Sequence, residues 1–231
     1  MDAIAARDEL TLEGICTHFA AADDLDRAHT KAQIAQFDEL LAELDKRGAR
    51  PRLVHAANSA GLLNHPDARY DLVRCGIALY GVAPAPELAD RVALRPVLSL
   101  RAQVSHVREL DAGDRLSYGL QYALPRAGRV ATVPVGYADG VPRNLGLVGG
   151  EVLIRGSRYP IAGTVTMDQL MVDVTGMPTG DAQVEAGDDV VLLGRDGDEE
   201  IAAQEWAERL GTIGYEIVTG IGPRVPRRYV P

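Results

Sequence analysis

Two short apolar runs flank a long segment of helical periodicity near the N-terminus, and that order limits the fold more than any other feature of the chain. The stretch "LEGICTHFAAAD" (12–23) reads as a short strand ending in polar residues. In "KAQIAQFDELLAELDKRG" (31–48), Ile34, Phe37, Leu41 and Leu44 recur at helical spacing and share one face. Thr30 is the expected N-cap and Gly48 the expected C-terminal stop. "RLVHAANSAG" (52–61) reads as a second strand with a small-residue loop, and "DLVRCGIALYG" (71–81) as a third. Strand–helix–strand order implies parallel strands joined by crossover helices. In such sheets the chemistry gathers at the C-terminal strand ends, where His18, Ser59 and Arg74 fall.

The pattern changes near Pro96. "VLSLRAQVSHVREL" (97–110) is long and mostly alternating, as an antiparallel strand is. Turns at Ala112-Gly113-Asp114, Ala186-Gly187-Asp188 and Asp196-Gly197-Asp198 separate further short strands in "RVATVPVGY", "GEVLIRG", "QLMVDVT" and "DVVLLGR". One short helix, "AAQEWAERLG", interrupts them. The expected organisation is an α/β part over 1–95 and a barrel-like or sandwich-like β domain over 96–231. The two Ala-Gly-Asp turns could mark a repeat, although turn chemistry alone accounts for them.

Composition narrows the partners. A net charge of -9 argues against broad electrostatic binding to nucleic acid or to anionic lipid, while leaving room for a small positive pocket. No apolar run reaches the roughly 18–20 residues that a membrane helix needs, and the start, with Asp2, Arg7, Asp8 and Glu9, is unlike a signal peptide. The two cysteines, Cys16 and Cys75, lie in no Cys/His cluster, so neither a disulfide framework nor a metal site is expected. They read as buried free thiols of a reducing cytoplasm.

Arg74 is the residue that asks for an explanation. A guanidinium is always charged and costly to bury without a partner, yet it sits inside a β-prone apolar run. It reads either as half of an ordinary buried ion pair or as a charge with a use. The motifs "THFA" (17–20), "HAANSAG" (55–61), "DLVRCGIALYG" (71–81), "LSYG" (116–119), "VGYADGVPR" (135–143), "TVTMDQ" (164–169) and "TIGYEIVTGIGPRVPR" (212–227) stand in order along the chain. Together they resemble the alanine racemases of the pyridoxal-phosphate-dependent fold-type-III class.

That resemblance implies the C-terminal part of a (β/α)8 TIM-type barrel, 1–95, binding pyridoxal 5'-phosphate, followed by a mostly antiparallel β domain, 96–231. It also implies the site. Arg74 would face the pyridine nitrogen in place of the usual carboxylate, with His55 as its orienter; a satisfied core histidine is the plainer reading of His55. Asn58, Ser59, Gly76, Ile77 and Tyr215 would hold the phosphate, although "NSAG" taken alone reads as a plain loop. His18 would lie against the ring. Tyr118, otherwise an edge aromatic beside Gly119, would be the acid/base on one face of the substrate, and a lysine would serve the other. Met167 would meet the substrate carboxylate through its backbone. Tyr137, Asp168, Arg143 and Ile213, together with Tyr215, would line a narrow entrance admitting L-alanine and D-alanine. Thr164 and Thr166 stand where many relatives carry arginine and cysteine.

The family solves the separation of Tyr118 from Arg74 across a homodimer, so sites shared between subunits are implied. It also begins with further barrel strands, the first bearing the Schiff-base lysine in a context like V-K-A-x-A-Y-G-H-G. The lysines here, Lys31 and Lys46, lack that context. The chain therefore corresponds to the later part of such an enzyme and is expected to be inactive alone. Two other readings stand beside this one. A fold-type-III amino-acid decarboxylase would pair the ring nitrogen with glutamate, which Arg74 opposes. A non-catalytic fragment or pairing module would expose open strand edges.

Overall fold

The structure, a computed structural model, describes residues 2–176 and 183–230 and divides into two compact units, one ending at Arg95 and the other beginning at Pro96.

The first unit runs α1 (Asp2–Ala5), β1 (Gly14–Cys16), α2 (Ala28–Lys46), β2 (Leu53–His55) and α3 (Ser59–Asn64). β1 and β2 pair in parallel, Gly14 opposite Leu53 and Cys16 opposite His55. The amphipathic face of α2 is the expected one, since Ile34, Phe37, Leu41 and Leu44 are all buried. Phe19, Val54 and Leu88 pack in the same cluster as Ile34, Phe37 and Leu41, and each fully buried side chain of this size contributes about 1.5–3 kcal/mol.

Both ends of α2 are instructive. Gly48 takes φ +62°, the left-handed stop that a side chain would strain. Thr30, expected as the N-cap, lies inside the first turn. The helix begins at Ala28, whose N–H donates to Asp26 Oδ1 at 3.1 Å, and the Thr30 hydroxyl donates to the Ala21 carbonyl at 2.9 Å. Thr30 thus ties the helix to the loop after β1 instead of capping it.

The third expected strand is mostly absent. Leu72 makes one parallel bridge to His55, and the chain then bends into a 3-10 turn over Ile77–Tyr80. Asp71 explains the short ladder. Its carboxylate accepts the Val54 N–H at 2.9 Å while its own N–H donates to the Val54 carbonyl at 3.0 Å, so a side chain fills a place that a strand carbonyl would take. Arg74 N–H reaches the Ala57 carbonyl at 2.8 Å, which keeps the segment alongside β2 without a regular register.

The second unit carries β3 (Leu100–Gln103), β4 (His106–Leu110), β5 (Arg115–Leu116), β6 (Tyr122–Ala123), β7 (Gly128–Val133), β8 (Glu151–Ile154), β9 (Ser157–Pro160), β10 (Leu170–Asp173), β11 (Asp189–Asp196), β12 (Glu199–Ile201), α4 (Ala203–Leu210) and α5 (Gly214–Gly220). All of the strand pairs are antiparallel. The run 97–110 is not one strand. Its first half, β3, pairs with β11, and its second half, β4, pairs with β7. The change falls at Val104 and Ser105, whose N–H groups donate to Asp188 and Thr132 carbonyls on the two sides. An Ile161–Val172 bridge joins the same two sheets elsewhere, and the result is barrel-like. Leu153, Ile154, Leu192, Ile201 and the fully buried Trp206 fill the interior. The two Ala-Gly-Asp turns share one geometry, because Asp114 and Asp188 each accept the N–H three residues back through the side chain, at 3.0 and 2.8 Å.

Candidate functional site

In the first unit the half-buried guanidinium of Arg74 lies over the C-terminal ends of β1 and β2. Its Nη2 donates to the carbonyl of Thr17, just past β1, and to that of Ala56, just past β2, both at 3.1 Å. Nη1 lies 2.6 Å from His55 Nδ1, and Nη2 lies 3.1 Å from His18 Nδ1. A guanidinium only donates, so both imidazole Nδ1 atoms accept, and the ring hydrogen of each neutral histidine then sits on Nε2. His18 Nε2 is also 3.4 Å from Asn58 Nδ2. Two donors cannot bond, so the shorter contact with the charged group is the one that orients His18. Among the described residues, no acid stands within ion-pair distance of Arg74. The ordinary buried ion pair is therefore absent, and neutral dipoles hold the cation.

Beside Arg74, Ser59 is 3% exposed. Its Oγ accepts from Gly76 N–H at 2.9 Å and from Ala78 N–H at 3.3 Å, and it lies 3.9 Å from the Sγ of the half-buried Cys75, the acceptor within reach of the hydroxyl hydrogen. A Cβ added at Gly76 would meet only that Oγ, at 3.9 Å, so the glycine keeps open the space in front of it. The "NSAG" segment is not a plain loop. Asn58 caps α3, its Oδ1 accepting the Gly61 N–H at 2.9 Å. That carbonyl oxygen is thus committed to the helix, and only the amide nitrogen of Asn58 faces the cluster.

The other expected residues lie in the second unit. The segment 164–168 is their spine. Val165 N–H donates to the Arg143 carbonyl at 3.1 Å, Tyr137 N–H to Thr166 at 3.0 Å and Ala138 N–H to Met167 at 2.9 Å. Gly136 permits the crossing, because a Cβ there would lie 2.3 Å from the Thr166 carbonyl oxygen and 2.6 Å from Asp168 N. Asp139 fastens the turn, accepting from Gly136 N–H at 2.9 Å and from Arg224 Nε at 3.1 Å. Tyr137 also borders an open groove of about 440 Å³ with Pro142, Leu210, Thr212, Glu216 and Ile217. Ile213 precedes α5, and Tyr215 lies in its first turn.

Tyr118 is 70% exposed and Met167 57%. Tyr118 sits on a loop with Ser117 at φ +62°, Gly119 at +79° and Leu120 at +50°. The Ser117 hydroxyl donates to the Thr164 carbonyl, and the Thr164 hydroxyl donates to the Tyr118 carbonyl at 3.2 Å. Sequence reasoning read Thr164 only for what it replaces and passed over Ser117. The adjacency of Ser117 to Tyr118 was the available signal. The structure brings together Arg74, His55, His18, Ser59 and Gly76 in one unit, and Tyr137, Arg143, Met167 and Tyr118 along one spine in the other.

The two thiols are free but not buried as expected: Cys16, the last residue of β1, is exposed and Cys75, beside Arg74, is half-buried. Among the described residues, no group of three or more His, Cys, Asp or Glu side chains is placed to hold a metal ion, and no helix is long and apolar enough to cross a membrane.

Comparison with known proteins follows the same division. Residues 1–84 match the family described as alanine racemase, N-terminal domain, and residues 97–229 that described as alanine racemase, C-terminal domain. The alanine racemase of Symbiobacterium thermophilum is 50% identical over 226 residues, covering 98% of this chain and 59% of that protein. That of Thermobifida fusca is 46% identical over 220 residues, covering 95% of the chain and 57% of that protein. The crystal structure of alanine racemase from the D-cycloserine-producing Streptomyces lavendulae superposes with a TM-score of 0.90 at 41% identity, covering the whole chain and 60% of that structure. The Bacillus anthracis alanine racemase with bound L-Ala-P gives 0.86 at 43% identity, covering 96% of the chain and 56% of that structure. The fold is accordingly part of a TIM-type barrel followed by the β domain of these proteins, and the chain spans 55% to 60% of the length of the curated relatives it matches. Two domain families matched in order, and superposition over nearly every residue, lead to one conclusion: this chain belongs to the alanine racemase family.

Proposed function

We propose that this chain serves the interconversion of L-alanine and D-alanine with pyridoxal 5'-phosphate, in a cytoplasmic homodimer that supplies D-alanine for cell-wall peptidoglycan. The observation that carries the proposal is the Arg74 guanidinium, set 2.6 Å from His55 with no acid beside it, next to the space that Gly76 leaves before the Ser59 hydroxyl. These residues suit the cofactor. An unneutralised donor-only cation matches an aromatic nitrogen that accepts, and a hydroxyl held only by the weak acceptor Cys75 Sγ, beside backbone N–H groups, can turn its hydrogen to a phosphate.

Arg74 would hold the ring nitrogen, with His55 fixing the guanidinium and His18 against the ring. Ser59, Gly76, Ile77, the amide of Asn58 and Tyr215 would hold the phosphate. When bound, the cofactor withdraws electrons from the amino acid and acidifies its α-hydrogen. Because Arg74 cannot take a proton from the ring nitrogen or leave it protonated without losing its own hydrogen bond, it limits that withdrawal and favours simple return of the hydrogen. The Tyr118 hydroxyl oxygen would take or return it on one face, and a lysine on the other. Met167 would receive the substrate carboxylate at its backbone. Tyr137, Arg143, Asp168 and Ile213 would line the approach. Lys31 and Lys46 are exposed on α2, so neither is assigned the lysine's task, and the chain alone should not racemise alanine.

The test pairs this chain with a full-length alanine racemase subunit whose own equivalent tyrosine is replaced by phenylalanine. D-Alanine formation should appear on mixing and vanish when the chain carries Tyr118→Phe. No turnover despite demonstrated pairing would overturn the assignment. One observation favours a second reading, a non-catalytic pairing module: β1 bonds only to β2 and has a free outer edge among the described residues. Pairing without turnover is the outcome that reading expects.

A further inference from the structure

We propose that Ser117 and Thr164 form a reciprocal clamp that positions Tyr118, and that the clamp, not the bulk of the β domain, sets the placement of its phenol. The inference rests on the catalytic role assigned to Tyr118 above. Three observations carry it. First, the loop is intrinsically unfavourable. Ser117 at φ +62° and Leu120 at φ +50° occupy the left-handed region that residues with side chains rarely adopt. Such a loop persists only where its surroundings over-determine it.

Second, the surroundings do so with paired bonds. The Ser117 hydroxyl donates to the Thr164 carbonyl, while the Thr164 hydroxyl donates back to the Tyr118 carbonyl at 3.2 Å. Thr164 is 3% exposed, so water competes little for these bonds. Arg115 Nη1 donates to the Leu120 carbonyl at 2.7 Å and pins the far side of the turn. Third, Gly163 lets the two segments meet. A Cβ there would come within 3.2 Å of both Ser117 Cβ and Tyr122 Cβ. The Tyr118 side chain is itself 70% exposed, so packing of the ring does not fix it. Its backbone is the part that is held, and the held backbone aims the ring. Thr164 and Ser117 are positioning residues, since neither is required to touch the substrate.

The experiment uses the whole chain carrying Thr164→Val, Ser117→Ala or Thr164→Ser. Backbone amide relaxation should give Tyr118 an order parameter near the rigid value of about 0.85, falling below about 0.6 in the first two variants and recovering in the third. In the mixed-subunit assay, turnover should fall by up to about 100-fold in Thr164→Val, with KM little changed and recovery in Thr164→Ser. Unchanged Tyr118 order in both loosened variants overturns the clamp, whatever the activity. So does a fall in melting temperature with the Tyr118 amide still rigid, since that is the mark of a purely structural role. Absence of turnover with the unmodified chain bears on the catalytic reading alone, because the relaxation measurement needs no activity.

Discussion

His55 and Arg74 show how much one contact can decide. A hydrogen bond to a charged group is worth about 1.5–3 kcal/mol, and 1.4 kcal/mol is a factor of ten in binding. Loss of the 2.6 Å contact in His55→Ala should therefore weaken binding of pyridoxal 5'-phosphate about tenfold or more. Fluorescence titration of the chain measures this, and unchanged affinity would remove His55 from its orienting role. A second histidine makes a prediction about stability. His65 is 3% exposed, and burial, helped by the nearby Arg27 charge, pushes its pKa below the ordinary value. In the unfolded chain an imidazole titrates near 6.5. The unfolded state therefore takes up the proton first as pH falls, so the contribution of His65 is present above about 6.5 and declines below it. The melting temperature should drop between pH 7.5 and 5.5, and His65→Phe should reduce that drop. An identical slope in the variant would assign the acid sensitivity elsewhere.

At the scale of the element, the crossing of 136–138 with 166–168 is a close backbone approach within the candidate site. Gly136→Ala would place a methyl group 2.3 Å from the Thr166 carbonyl oxygen, and the resulting overpacking should cost about 1–3 kcal/mol. Urea unfolding of the variant should show a lower midpoint with an unchanged slope. The element scale also explains what could and could not be read in the residues. The buried face of α2 was legible because four large apolar side chains repeat with the helical period. Thr30 misled because its hydroxyl found the Ala21 carbonyl, a tertiary partner that no local pattern announces. The third parallel strand was overread because the apolar run conceals the place Asp71 takes in the ladder. The run 97–110 mostly alternates, but alternation does not say which neighbour each half will bond. Arg74 stood out through its charge in an apolar setting, and His18 and Ser59 through their place near strand ends, while Asn58 and Gly76 entered only with the family resemblance. The clamp on Tyr118 was not, because neither serine nor leucine advertises a left-handed backbone.

For the whole molecule, the join between the units is the exposed stretch after the 3-10 turn that ends at Arg91. Val92, Ala93, Arg95 and Pro96 are all exposed. Exposed connecting segments are where proteases cut. Trypsin should nick after Arg91 and spare the Arg95–Pro96 bond, which it cleaves poorly. Mass spectrometry of the early fragments would show this, and first cuts within β7 or β11 would contradict it. The setting of Arg74 has a further consequence for ligand traffic. The protein carries a net charge of -9, while this one cation is held by carbonyls and imidazoles and not cancelled by a carboxylate. A doubly charged anion approaching from afar is repelled by the molecule as a whole and welcomed only within the last few ångströms. Added salt shortens the reach of the repulsion to about 8 Å at physiological strength, so capture of such an anion should quicken as salt rises to that level, the reverse of what a broadly basic binding face would give.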